Sequence, residues 1–275
     1  KQRIDEVLGR TGKATVEDMQ RLQNDVVSLP ARRLLALVKP LRTDNAKAQA
    51  AQRLLAGWEG EISATGSASA LFEVWLSRHL PYRYKDAVLS REAARVVGSA
   101  DIGAMLAALE QPAARFGKDA LRKRDELLAS TLAAAWEDTQ RLLGPEPSRW
   151  RWGRLQFSYF MHPMSQVVDK ATRAQLDVGP FPRGGSNYTV NASGYHPANF
   201  WQLSGASFRI VIDVGGWDNS RAINTPGQSG DPASPHYRDL AAMWAAGEYF
   251  PLLYTKKAID AATESTIELL PARRK

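Results

Sequence analysis

The first half of the chain has a helical pattern of apolar residues. From Lys1 to about Gly144, apolar residues recur at spacings of three and four among many Ala, Leu, Arg and Glu residues. Thr15 is placed to cap a helix that carries Met19 and Leu22 on its apolar face before Pro30 interrupts it. Gly, Pro and Ser separate the further predicted helices, which span residues 31–38, 45–56, 68–80, 102–111 and 118–143.

The pattern changes after two prolines, Pro145 and Pro147, which a helix interior does not accept. Residues 153–160 and 206–214 alternate between apolar and polar in the manner of half-buried strands. In the second of these segments, the residues on one side are Phe208, Ile210, Ile212 and Val214. Residues 188–192 and 266–270 are shorter candidate strands.

Two helices are predicted among these strands. Ser234 is placed to cap the first, with Pro235 in its first turn and Gly247 at its end. Its buried stripe is predicted to consist of Tyr237, Leu240, Ala241 and Trp244. A second, short helix begins near Lys256.

This order of elements predicts the fold class α+β, because antiparallel strands covered by a helix follow a helical lobe and no βαβ alternation is present. The predicted division places a helical domain at residues 1–145 and an α+β segment at residues 146–275. The length of 275 residues is sufficient for either one large domain or two modest ones.

Composition excludes several classes of protein. No window approaches the roughly 20 consecutive apolar residues of a membrane span, so no membrane partner is expected. The absence of cysteine excludes disulfides, thiolate metal ligands and a cysteine nucleophile. The net charge is +7, but the densest basic groups, at residues 122–124 and 273–275, are not interleaved with aromatic residues. The basic charge therefore predicts a solvated surface and no nucleic-acid partner.

Ser229, His236 and Asp239 are the residue types of a serine-hydrolase triad within one short segment. A triad needs its nucleophile on a sharp turn between a strand and a helix, and the sequence around Ser229 is not the G-x-S-x-G turn. The preferred interpretation is a tight Gly and Pro loop whose polar side chains bind backbone groups.

The four histidines show no metal-binding spacing. His79, His162, His196 and His236 lack both the H-x-x-x-H arrangement and a neighbouring pair of carboxylates, and no calcium-loop pattern is present. No metal ligand is predicted in this chain.

A glycine pair precedes the candidate strand at residues 188–192. Gly184 and Gly185 could bring backbone donors close to a ligand, since glycine permits unusual angles and close approach. A β-turn before a strand explains the same residues and is favoured on local grounds.

Taken together, these segments resemble the penicillin acylase family of N-terminal-nucleophile hydrolases. The resemblance is to the C-terminal part of the large subunit, and it covers nearly the whole chain. The segments that carry it are Gln23-Asn24-Asp25, Trp58-Glu59-Gly60, Trp150-Arg151-Trp152-Gly153-Arg154, His162-Pro163, Gly179-Pro180-Phe181-Pro182, Thr189-Val190-Asn191-Ala192, Gly205-Ala206-Ser207-Phe208-Arg209 and the run from Thr225 to Tyr237. The family more often has aspartate at the position of Glu59.

The resemblance implies a four-layer αββα sandwich, part of which this chain would complete. It also implies a heterodimer cut from one precursor, whose large subunit begins with a serine that uses its own α-amino group as the base. Lys1 has no hydroxyl group, so the nucleophile is expected outside this chain, together with the oxyanion asparagine and any calcium ligands. No catalytic residue is assigned here.

The resemblance further implies the partners and the setting. The expected partners are the small subunit, the N-terminal part of the large subunit and a small-molecule amide of the β-lactam or acyl-homoserine-lactone type. Asn187, Asn191 and His162 are predicted to lie near the substrate cleft, and the location is expected to be periplasmic or secreted. The alternative function is a catalytically inactive binding or scaffolding module of the same fold.

Overall fold

The computed structural model describes residues 1–271, so the basic group at residues 273–275 lies outside the described residues. The α-helices are α1 Gln2–Arg10, α2 Val16–Gln23, α3 Leu29–Val38, α4 Ala46–Leu55, α5 Ser67–Val74, α6 Leu80–Val88, α7 Arg91–Val96, α8 Ile102–Glu110, α9 Ala113–Phe116, α10 Ala120–Leu143, α11 Lys170–Leu176, α12 Asp239–Ala246 and α13 Lys256–Ala262. The strands are β1 Phe157–Phe160, β2 Val178–Pro182, β3 Ser193–Tyr195, β4 Gln202–Gly205, β5 Arg209–Val211, β6 Arg221–Ile223 and β7 Phe250–Pro251.

The predicted helices of the first half are confirmed, with corrections at their ends. Thr15 caps α2 through a reciprocal capping box with Asp18. Pro30 does not interrupt a helix. It lies in the first turn of α3, where its missing N–H is tolerated, and Ser28 caps that helix. The helix predicted over residues 68–80 continues through a π-helical turn, Trp75–His79, into α6.

The strands form three small antiparallel sheets, with the orders β1-β2, β3-β4 and β5-β6-β7. The strand predicted over residues 153–160 is shortened to β1, because Trp152–Arg154 forms a 3₁₀ turn. The predictions of strands at residues 188–192 and 266–270 are wrong: neither segment pairs with a neighbour, and without a paired partner an extended segment does not form a ladder.

The predicted strand over residues 206–214 is shortened to β5, and its burial is opposite to the expectation. The alternation is present, but Arg209 and Val211 face inward, whereas Phe208, Ile212 and Val214 are 53%, 50% and 79% exposed. Ile212 and Val214 line a groove of about 510 Å³ beside the start of α2, which covers them only in part. The molecule thus presents a face that is apolar in sequence and open in the described structure.

Helix α12 covers the strands, as the pattern around Ser234 predicts. Ser234 caps a 3₁₀ turn, Pro235–Tyr237, and the α-helix itself begins later, at Asp239. Tyr237 and Ala241 pack against Val178 of β2, and Gly247 ends the helix in the left-handed conformation, as expected.

One large apolar core joins the helical half to residues beyond position 145. Most of its members come from helices α3 to α6 and α8 to α10, and they are joined by Trp150, Trp152, Tyr195 and Phe200. The indole ring of Trp152 contacts the rings of both Tyr195 and Phe200, and its N–H donates to the carbonyl oxygen of Gly185 at 3.1 Å. The apolar core is thus continuous across residue 145. The division of the chain into two domains at this position stays a prediction.

We predict that Trp152→Ala lowers the free energy of unfolding by about 3–5 kcal/mol, because it empties the centre of this core. Denaturant unfolding followed by far-ultraviolet circular dichroism is the measurement. Trp201→Ala, at an aromatic position that is about half exposed, is the control with a smaller effect. If the helices of the Trp152→Ala variant unfold at the same denaturant midpoint as those of the wild type, the helical half does not share its core with Trp152.

Candidate functional site

Two buried arginines meet at the C-terminal end of α12. Arg183 follows β2 and Arg209 opens β5, and their exposed fractions are 3% and 5%. Arg183 Nη1 donates to the carbonyl oxygen of Ala245 at 2.6 Å, and Arg209 Nη2 donates to that of Trp244. The last carbonyls of a helix lack partners inside the helix and carry partial negative charge. The two guanidinium groups therefore cap α12 and connect it to two different sheets.

The indole ring of Trp244 lies against both arginines. The guanidinium carbon of Arg183 is 4.3 Å from the ring centroid, and that of Arg209 is 5.5 Å from it. A desolvated cation over an indole face is stabilised by about 2 kcal/mol. The ring itself is fixed, because its N–H donates to the carbonyl oxygen of Ala206 at 2.8 Å.

The segment Gln23-Asn24-Asp25, more than 150 residues earlier in the chain, completes this cluster. The Asn24 side chain accepts a hydrogen bond from Arg209 and donates one to the Tyr249 hydroxyl at 3.2 Å. The Gln23 side chain donates to the backbone carbonyl of Ile210 at 2.8 Å and accepts from the Tyr249 hydroxyl at 2.8 Å. We call the group of Gln23, Asn24, Arg183, Arg209, Trp244 and Tyr249 the arginine junction.

The electrostatics of the arginine junction are unusual. Among residues 1–271, neither arginine forms an ion pair with a carboxylate. Burial, together with the positive charge of Arg209, lowers the pKa of Arg183 to about 10, and burial also lowers the pKa of Arg209. The positive charge is thus held by neutral oxygens, the helix end and the indole ring.

Of the predicted site residues, only Asn191 reaches the arginine junction. Its backbone N–H donates to the carbonyl oxygen of Asp25 at 2.8 Å, and its side-chain oxygen is 3.5 Å from Arg183 Nη2. Asn191 links the residue run after Gly185 to the first half of the chain.

Asn187 and His162 lie elsewhere. Asn187 is exposed and lines a groove of about 610 Å³. His162 caps a 3₁₀ turn, where its Nδ1 accepts from the Met164 N–H at 3.1 Å and its own N–H donates to Asp177. The three residues do not form one pocket, and their place near a substrate cleft stays a prediction.

The run from Thr225 to Tyr237 is a loop rather than a triad, as the preferred interpretation predicts. His236 and Asp239 pair at 2.9 Å, but both are exposed. The Ser229 hydroxyl accepts from the Asp231 N–H at 3.1 Å, and the Ser229 N–H donates to the His236 carbonyl oxygen at 3.0 Å. These hydrogen bonds turn the chain into the capped start of the 3₁₀ turn.

The glycine pair is packed inside the protein. The Gly185 N–H donates to the carbonyl oxygen of Ile62 at 2.7 Å, and Gly185 has φ +81°. A Cβ atom at this position would lie 2.4 Å from the Asn191 carbonyl oxygen. Glycine is therefore required here by close backbone approach, and its N–H is already used by another segment of this chain.

Sequence reasoning did not identify Arg183, Trp244 and Tyr249 as parts of one site. The available clue was an arginine, Arg209, between the apolar residues Phe208 and Ile210 of a predicted strand. In the described part of the chain, no three His, Asp or Glu side chains gather in an arrangement that could hold a metal ion, and no helix is both long and apolar enough to cross a membrane.

Comparison with known proteins identifies the family and the fold of this chain. The chain superimposes on the thermostable penicillin G acylase from Alcaligenes faecalis with a TM-score of 0.55 and 17% identity, over 99% of this chain and 53% of that one. This likeness shows that the chain has the fold of the matched part of penicillin G acylase. The chain belongs to the penicillin amidase family, whose model matches residues 1–261.

Curated relatives are acylases as well. The acyl-homoserine lactone acylase QuiP of Pseudomonas aeruginosa is 26% identical over 313 residues, which cover 99% of this chain and 36% of that protein. The penicillin acylase 2 proenzyme of Pseudomonas sp. strain SE83 is 40% identical over 149 residues, or 54% of this chain and 18% of that protein. The chain thus spans about a third or less of the length of these relatives.

We predict that Arg209→Lys lowers the free energy of unfolding by about 1–3 kcal/mol, because one ammonium group cannot reach Asn24 and the end of α12 in the same planar geometry. Thermal and denaturant unfolding measure the effect. Arg53→Lys, at an exposed position, is the matched control and should leave stability unchanged. Equal stabilities of the two variants would contradict a structural role for the arginine junction.

Proposed function

We propose that this chain is the part of an amide-hydrolysing acylase that lacks the nucleophile. In this proposal an N-terminal serine outside the chain attacks the amide carbon, and its own α-amino group takes the hydroxyl proton. The resulting acyl-enzyme is hydrolysed by water, while oxyanion donors from the same outside segment stabilise the tetrahedral intermediates. The names of the relatives and the share of their length that the chain matches support this proposal.

The observation that carries the proposal is the open apolar face beside β5. Phe208, Ile212 and Val214 alternate along one side of this segment, yet at least half of each side chain is exposed. A period-two apolar face is typical of a sheet that is covered by a second layer. We infer that the remainder of the acylase covers it, since the two middle layers of an αββα sandwich pack sheet against sheet.

The chain itself then has a supporting role. The arginine junction fixes α12 against β2 and β5, and the large core fixes the helical lobe against the residues around Trp152. A rigid scaffold of this kind can hold a catalytic serine from another segment at a constant position. Substrate choice is assigned to the outside segments and to the region of Asn187 and Asn191.

The substrate class and setting follow from the same proposal. The candidate substrates are amides of the β-lactam or acyl-homoserine-lactone type, and the proposed location is periplasmic or secreted. The proposed partners are the small subunit and the N-terminal part of the large subunit from one precursor. Any calcium of the assembled acylase is assigned to the outside segments.

The test compares the chain alone with the chain joined to the remainder of its parent protein. Penicillin G and an N-acyl-homoserine lactone serve as probes. We expect no hydrolysis by the chain alone, and hydrolysis of at least one probe by the assembled protein. Hydrolysis by the chain alone would overturn the proposal. An assembled protein that binds a probe without cleaving it would favour an inactive binding module.

A substitution in the open apolar face beside β5 tests whether another segment covers it. Ile212→Asp should lower assembly, and with it hydrolysis, by about tenfold or more, because a buried unpaired carboxylate costs several kcal/mol. Co-purification and hydrolysis rates of the two parts are the measurements. Val96→Asp, at an exposed position on α7, is the matched control. If Ile212→Asp assembles as well as the control, this face is not the covered one.

A further inference from the structure

Glu73, on helix α5, is a fully enclosed acid that the proposed function does not use. Its exposed fraction is 1%. One carboxylate oxygen accepts a hydrogen bond from the Tyr195 hydroxyl at 2.6 Å, and the other, Oε1, has no hydrogen-bond partner. An ionised carboxylate in this position carries a large desolvation penalty unless a cation offsets it.

Among the described residues, no cationic side chain forms an ion pair with Glu73 that would offset this desolvation penalty. The charged side chains on the elements packed against α5 are either paired with each other or exposed. The pairs are Arg78, His79 and Arg141 with Asp138, Lys47 with Glu137, Arg122 with Glu126, Arg124 with Asp125 and Arg149 with Glu146, and the exposed cations are Arg53, Lys123 and Arg154. The titratable groups that act on Glu73 are Tyr195 and Tyr188.

The pKa of the Glu73 carboxyl group is shifted in the direction that burial without a cation predicts. Burial raises the pKa of Glu73 to about 7, and the hydrogen bond from Tyr195 offsets part of the rise. Burial and the charge of Glu73 hold the pKa of Tyr195 well above its usual value, so this hydroxyl remains a donor throughout the neutral range.

Glu73 lies under the residue run 184–193, which we call the glycine loop. Ser186 is the centre of the loop: its carbonyl oxygen accepts from the Ser193 N–H at 3.1 Å, and its hydroxyl accepts from the Tyr188 N–H at 3.3 Å. The outer residues of the loop, from Asn187 to Val190, form one wall of the groove of about 610 Å³. Arg3 and Arg33 also line this groove.

We propose that Glu73 is a proton-dependent latch for the glycine loop. When Glu73 is protonated, its neutral carboxyl group can stay buried beside the loop while it accepts the hydrogen bond from Tyr195, and the groove wall keeps its place. When ionised, the buried carboxylate has one oxygen without a donor, and water can reach that oxygen only if the loop moves away from α5. This inference goes beyond the proposed function and does not depend on amide hydrolysis.

Hydrogen exchange of the full chain tests the latch. Between pH 6 and pH 8, the protection factors of the Gly185 and Ser193 amides should fall about tenfold, since the closed state binds the proton more tightly than the open state. In Glu73→Gln the side chain stays neutral, so the protection factors should remain constant. Glu59→Gln, at an exposed position, is the matched control and should behave as the wild type.

Thermal unfolding gives a second readout with a defined sign. The pKa of Glu73 is higher in the folded state, so the stabilisation from its proton is complete below the unfolded value of 4.5 and is lost as the pH rises through about 7. We expect the melting temperature of the wild type to fall relative to that of Glu73→Gln across this interval.

Tyr195→Phe separates a latch from a merely structural residue. Loss of the hydroxyl removes a donor to the ionised carboxylate, so the midpoint of the protection change should move to higher pH. A constant wild-type protection factor between pH 6 and pH 8, an equal fall in Glu73→Gln, or an unchanged midpoint in Tyr195→Phe would each overturn the proposal. If the chain folds only with the rest of its parent protein, the same measurements on that assembly decide it.

Discussion

The capping of helix α12 by two buried arginines is the interaction on which the second half of the molecule depends. The three sheets are small, with two or three strands each, and such sheets have little stability of their own. Arg183 and Arg209 tie β2 and β5 to the same helix end, and Asn24 ties that end to the helical half. One point of contact thus joins elements that are far apart in the sequence.

The way the charge is balanced explains why arginine is suited to this position. A guanidinium group is planar, and it can donate in several directions while stacking on an indole ring. Lysine would concentrate the charge on one strongly hydrated ammonium group, for which burial beside Trp244 is more costly. Because the acceptors are carbonyl and amide oxygens rather than exposed carboxylates, we expect the arginine junction to be insensitive to salt.

The helices could be predicted largely from the sequence, and the strands only in part, since β1 and β5 lie within predicted strands. Helix ends depend on local chemistry, such as the Thr15 and Asp18 capping box, and this chemistry is visible in a short window. A strand depends on a partner that is distant in sequence. Residues 188–192 have strand-like composition, yet the loop that contains them is held instead by hydrogen bonds from Thr189 and Asn191.

The arginine junction was only partly predictable, because its residues are distant from one another in the sequence. Asn191, Asn187 and His162 are predicted near the substrate cleft, and that prediction stays untested. Asn191 contacts the arginine junction, whereas Asn187 lies in the groove and His162 caps a turn. Arg183 was not foreseen, because hydropathy treats every arginine as a surface residue. Its burial depends on Trp244 and on the end of α12, and both are brought to it only by the tertiary fold.

The register of β5 connects the arginine junction to the open apolar face. Side chains alternate along a strand, so Arg209 can face inward only if Phe208 and Ile210 face the opposite side. A shift of one residue would bury the apolar face but would also remove Arg209 from Asn24 and from the end of α12. The contact that stabilises this chain therefore forces the exposure of Phe208, Ile212 and Val214. The second layer that we propose would relieve that exposure without moving Arg209 from the end of α12.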